Sequence, residues 1–136
     1  MNIAINPNEA LTFPGMSQAV RSGDFVFLAG QVAMNENAEI VGENDPRRQA
    51  EQCFRNIEVL AKLAGGSLAD VVRLTCYLSD ESAYSAYSAI KTELFPERAP
   101  ASTAVIVKAL LDPRLLLEVE ATLVLAQDTP KLKESA

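Results

Sequence analysis

Leu117-Glu118-Val119-Glu120-Ala121-Thr122-Leu123 alternates without a break, and its reading decides the fold. Successive side chains on a strand point to opposite faces. Leu117, Val119, Ala121 and Leu123 therefore share one face, and Glu118, Glu120 and Thr122 share the other. One face is made for a core. The other carries two carboxylates about 7 Å apart, the repeat distance along a strand.

Working back from that strand, 102–107 is a second β-rich run, joined to 115–125 around Asp112-Pro113. Asp80 or Ser82 caps a helix through Tyr84, Tyr87, Ile90 and Leu94, which Pro96 stops. The run 71–78 reads as a strand with Val72, Leu74, Cys76 and Leu78 on one side. Asp45-Pro46 predicts a helix start, an N-cap carboxylate with proline at the first helical position. Ala50, Cys53, Phe54, Ile57, Leu60, Ala61 and Ala64 recur at helical spacing as one buried stripe, ended by Gly65-Gly66. Segments 17–21 and 24–30 flank Ser22-Gly23 as a hairpin-like pair, and a third short strand is expected near 39–41, after Asn35-Glu36-Asn37. The order is β-β-β-α-β-α-β-β, an α+β two-layer fold: a six-stranded mixed sheet with two helices on one face. Phe25-Val26-Phe27-Leu28 and Ala104-Val105-Ile106-Val107 are apolar in both alternating sets. Two helices cover only one side, so the other is expected to be buried by further copies of the chain in a closed cyclic oligomer.

The 136 residues are expected to form one domain, 1–136, with a polar tail at 128–136 that frays. The composition, 49% hydrophobic and 22% charged, is globular. No apolar run approaches a membrane span, and 1–13 has no basic residues ahead of an apolar stretch, so neither membrane insertion nor secretion is expected. Cys53 and Cys76 fall on core stripes and read as packing thiols in a reduced, cytoplasmic protein. A net charge of −6, no Lys/Arg cluster and 6% aromatics disfavour a nucleic-acid partner. The chain has no histidine, which excludes serine–histidine triads, cysteine–histidine dyads and histidine zinc sites. Acid–base chemistry must then run on a carboxylate, lysine, tyrosine or cysteine. The polar face of 117–123 is either a solvated outer face or holds a desolvated carboxylate with raised pKa, the natural base of such a site.

Ser17-Gln18-Ala19-Val20-Arg21-Ser22-Gly23-Asp24 with Phe27-Leu28-Ala29-Gly30-Gln31 forms an opening block. Gly65-Gly66-Ser67-Leu68-Ala69-Asp70-Val71-Val72 with Tyr77-Leu78-Ser79-Asp80 forms a central one, and Leu94-Phe95-Pro96, Pro100-Ala101 and Leu117-Glu118-Val119-Glu120-Ala121 a last. In order and spacing these resemble the imine deaminase family (Rid or YjgF-like, also called L-PSP endoribonuclease-like). The resemblance implies a chorismate-mutase-like homotrimer with three small-molecule sites in the clefts between subunits and no metal or cofactor. It implies that Glu118 holds the water that hydrolyses an imine or enamine. It also implies substrate contacts from Ser102, Thr103, Glu120, Met16, Ser17, Ala29, Gly30 and Phe95.

Active members grip the substrate carboxylate with an arginine in a Pro-Ala-Arg-Ser/Thr segment. Here Pro100-Ala101-Ser102-Thr103 puts serine at that position, while Met16, Ala29 and Ser88 stand for the family's tyrosine, serine and asparagine. This places the chain in a subgroup lacking the arginine. A hydroxyl lacks both the charge and the fork of a guanidinium. The expected substrate is therefore a C=N compound without a carboxylate at that point, unless Arg98 of the preceding loop reaches in. A non-catalytic metabolite-binding trimer and an endoribonuclease are the alternative readings.

Overall fold

The computed structural model describes residues 1–126, and the tail expected to fray, 128–136, lies outside the described residues. The elements are β1 (Asn2–Ile5), β2 (Ala19–Ser22), β3 (Phe25–Leu28), α1 (Pro46–Leu63), β4 (Val71–Leu78), α2 (Tyr84–Leu94), β5 (Ala101–Ile106) and β6 (Leu117–Val124). They form one six-stranded sheet in the order β1-β2-β3-β6-β4-β5. Pairings are antiparallel except β4 with β5, which is parallel. β6 lies inside the sheet between β3 and β4, so its alternation governs both layers. Leu117, Val119, Ala121 and Leu123 are buried under the helices, and Glu118, Glu120 and Thr122 line the other face.

α1 forms where expected. Asp45 accepts a hydrogen bond from Arg48 N at 3.1 Å, and Pro46 opens the first turn. The helix ends in a Schellman turn: Gly66 N donates to Ala61 O and Gly65 N to Lys62 O, with Gly65 at φ +96°. All seven stripe residues are buried, and so is Gln49. The Gln49 amide donates to Arg114 O and accepts from Leu116 N, tying the first turn of α1 to the chain just ahead of β6.

Three expectations change. The element order stands, but its first strand is Asn2–Ile5 and no strand forms near 39–41. The segment after β3 makes only isolated bridges, Gln31 to Val119 and Met34 to Ile40. Its path turns at Ala38, Gly42 and Asn44, all at positive φ, and β6 already occupies the place beside β3. β1 was passed over because a four-residue edge strand with three exposed residues has almost no core face to advertise. In β4 the register slips between Val71 and Arg73. Val71 is thereby buried and Val72 exposed, while Leu74, Cys76 and Leu78 stay inside. Asp80 caps a short 3-10 turn, Glu81–Ala83, and α2 continues from it without a side-chain cap of its own.

Candidate functional site

Glu118 sits where the sheet opens. Phe27 faces Thr122 across the β3–β6 pair, whereas Gln31 faces Val119, so four steps along one chain match three along the other. The extra residue lets Ala29 and Gly30 swing over the start of β6. A Cβ on Gly30 would collide with the Glu118 carboxylate, meeting Cδ at 2.7 Å and Oε2 closer still. Glycine is required there by space and not by φ.

Beside this contact lies a cavity of about 590 Å³, with Glu118, Gly30, Ala29 and Gln18 on one side. Phe13, Met16, Met34 and Leu111 make its greater part apolar. Two buried glutamines hold that wall. Gln31 Nε2 donates to Gln18 Oε1 at 3.0 Å and to Ala29 O at 3.1 Å, and Gln18 Nε2 donates to Leu11 O at 2.9 Å. From α1, Asn56 donates to Val32 O and Met34 O and pins the far wall. The half-buried Glu118 carboxyl titrates above the usual range, first because burial penalises its charge and then because of the charge on Glu120. Glu120 itself accepts a 2.7 Å hydrogen bond from the Tyr77 hydroxyl, which makes that phenol harder to ionise.

The expected site residues thus divide. Glu118, Gly30, Ala29 and Met16 meet at one cavity, and Ser17 lies next to its Gln18 wall. Glu120 and Thr103 lie on the same outer face, both in register with Thr75 between them on β4. Ser102 pairs with the core residue Leu74, so its side chain leaves the helix-side face, opposite to Glu118. Phe95 is buried against Phe54, with ring centroids 6.3 Å apart. Lys91 places Nζ 2.9 Å from Ser102 Oγ, and Arg98 is exposed in the loop before β5 at φ +52°. Sequence reasoning missed Lys91, Gln18 and Gln31 as site residues. The one available signal for the glutamines was two amides at the ends of otherwise apolar hairpin strands.

Cys53 and Cys76 are buried and free, and burial pushes the Cys76 thiol up to about 12, which leaves it a protonated packing group. Among the described residues no group of three His, Cys, Asp or Glu converges as metal ligands would, and no helix is long and apolar enough to cross a membrane.

The sequence pattern of the family described as Endoribonuclease L-PSP matches residues 8–125, nearly the whole length. The chain belongs to this family. An L-PSP relative, a RutC family protein of Pyrococcus horikoshii, is 36% identical over 105 residues, covering 77% of this chain and 82% of the relative. The 3-aminoacrylate deaminase RutC of Acinetobacter baylyi is 32% identical over 101 residues, 74% of this chain and 79% of that protein. Among solved L-PSP folds, RidA from an Antarctic Psychrobacter superposes with a TM-score of 0.80 at 32% identity, covering 90% of this chain and 98% of that one. The two-helix, six-stranded architecture read from the sequence is thus the family's own.

Proposed function

We propose that this chain is a Rid-type deaminase that hydrolyses a small imine or enamine to a carbonyl compound and ammonia, with Glu118 positioning and activating the water. The observation that carries this reading is the carboxylate itself, half-buried, raised in pKa and set against Gly30 on the wall of a largely apolar cavity. In a chain without histidine it is the group suited to the task. The ionised carboxylate takes a proton from water as the oxygen bonds to the imine carbon. The proton passes to the nitrogen, giving a carbinolamine; its hydroxyl proton then moves to the nitrogen as well, the C–N bond breaks, and ammonia leaves as the C=O bond forms. An enamine enters the same route once its β-carbon is protonated. Glu120 acts through its charge, keeping the Glu118 pKa high, and Tyr77 holds Glu120 in place. The apolar wall of Phe13, Met16 and Met34 suits an aliphatic substituent on the imine carbon.

The deaminase activity named for the RutC relative supports the reaction class. A homotrimer is part of the proposal, because Glu118 and Ser102 leave opposite faces of one sheet and meet at a substrate only across two protomers. Two buried free thiols agree with a cytoplasmic setting.

The test is hydrolysis of freshly generated imines by the wild type and by Glu118→Gln. Ketone release is expected to fall roughly 10²- to 10⁴-fold in the variant. In the wild type the rate should drop on acidification through a pKa above that of a solvated glutamate, since the base must be ionised. Equal release from both proteins would end the role given to Glu118; binding of the carbonyl product without any turnover would make the chain a metabolite-binding module.

A further inference from the structure

Behind the glutamine wall of the Glu118 cavity lies a second cavity, of about 260 Å³. Pro7 and Asn8 bound it on one side, and Gln52, Asn56, Val59 and Leu60 of α1 on the other. Leu11, Gln18, Gln31 and Asn56 line both cavities, so one layer of side chains parts them. Three of the four are amides. The layer is closed by the 3.0 Å hydrogen bond from Gln31 Nε2 to Gln18 Oε1.

The two spaces differ in character. The first is walled by Phe13, Met16, Met34 and Leu111, whereas the second has Gln52 with the exposed and oppositely charged Glu36 and Arg55. Gln52 is only 8% exposed; its Nε2 donates to Asn56 Oδ1 at 2.8 Å, and its Oε1 accepts from nothing among the described residues. Gln31, 7% exposed, likewise uses Nε2 on Gln18 Oε1 and Ala29 O and leaves its own Oε1 without a donor. Amide carbonyls held this deep ordinarily find a donor. Among the described residues the Tyr87 hydroxyl is the one sealed side-chain polar atom with no partner, so these two oxygens open on space that a small molecule reaches. For Gln52 that space is the second cavity, which it lines.

The second cavity thus presents acceptors and calls for a small donor. Imine hydrolysis yields one product of each kind: a carbonyl compound that only accepts, and ammonia with three N–H donors. The front of the Glu118 cavity is apolar, its exposed lining residues being Phe13, Met16 and Leu111, and an aliphatic substituent seated there closes it to a polar leaving molecule. The amide partition is the polar side of that cavity.

We propose that the second cavity binds ammonia or ammonium through Oε1 of Gln52 and Gln31, and that it takes up the ammonia released beside Glu118 when the Gln31–Gln18 hydrogen bond opens. The second half rests on the deaminase reading above; the first does not. The carbonyl product leaves by the apolar front, and the amine product by the amide-lined rear.

The site is tested by titrating the full chain with ammonium chloride while following the side-chain amide signals of Gln31 and Gln52. Tetramethylammonium chloride, with the same charge and no N–H, is the control. Ammonium should shift both signals saturably at roughly millimolar concentrations, and tetramethylammonium should not. Gln52→Leu and Gln52→Met, each first shown by its melting curve to be folded, should weaken the ammonium response of Gln31 about threefold or more, the worth of one neutral hydrogen bond. A response that does not saturate, an equal one from tetramethylammonium, or unchanged affinity in both variants would overturn the site. The exit role is tested with Val59→Trp, which fills the second cavity from its exposed rim. This variant should release the first ketone per site at the wild-type rate and later ones several times more slowly, as ammonia release becomes limiting. Equal steady rates in Val59→Trp and wild type would overturn the exit. Ammonium binding that depends on Gln52 in a wild type that hydrolyses no imine would sink the deaminase reading and leave the site standing.

Discussion

Glu118 and Glu120 leave β6 on the same face, two residues apart, and meet different surroundings. Glu120 has a Tyr77 hydroxyl to accept from, whereas Glu118 has a glycine and an apolar wall. The fold therefore holds the Glu118 proton more tightly than the unfolded chain does. Between the ordinary glutamate pKa and the raised one, the native state binds more protons, so stability falls as pH rises through that window. The contribution is fully present below the unfolded value and lost above the folded one. Glu118→Gln, which cannot ionise, should accordingly unfold at a higher urea concentration than wild type at about pH 7, with the difference gone by about pH 4. A variant less stable than wild type at neutral pH would show that the carboxylate is not strained in its place. At this scale the sequence was half legible. Alternation in 117–123 exposed Glu118, because a strand's faces are written in its residues. Nothing comparable exposed Lys91, whose contact with Ser102 joins two elements and belongs to neither one's periodicity.

The elements were most readable where the backbone needs one particular residue. Asp45, Pro46 and Gly65 each satisfy a helix terminus, and α1 begins and ends on them. Asp45→Ala should cost about 1 kcal/mol and lower the melting temperature by a few degrees, while Asp45→Asn, which can still accept from Arg48 N, should cost much less. Equal losses in the two variants would mean that the cap bond contributes little and the charge matters more. Elements were least readable where the tertiary context decides. The apolar residues at 39–41 satisfy a strand pattern, but Ile40 bridges only to Met34 of its own segment and not to the sheet. Val72 alternates correctly with Leu74, yet the slip in β4 turns it outward and Val71 inward. A bulge costs nothing visible in the sequence, since both residues are valines.

Across the whole molecule, the sheet is finished on one face only. The outer face shows Phe25 and Phe27 stacked 6.2 Å apart and each about half exposed, together with Val105, and β5 presents an unpaired edge with all six residues exposed. The same arrangement sets Ser102 and Glu118 on opposite faces of the sheet. The closed ring of protomers proposed above would cover the apolar outer face. Sedimentation tests this directly. Phe27→Glu, which puts a charge into the exposed aromatic pair, should shift the sedimentation of the protein toward the single protomer at equal concentration. A wild type that already sediments as one protomer would remove the interface and with it the two-protomer site proposed for the substrate.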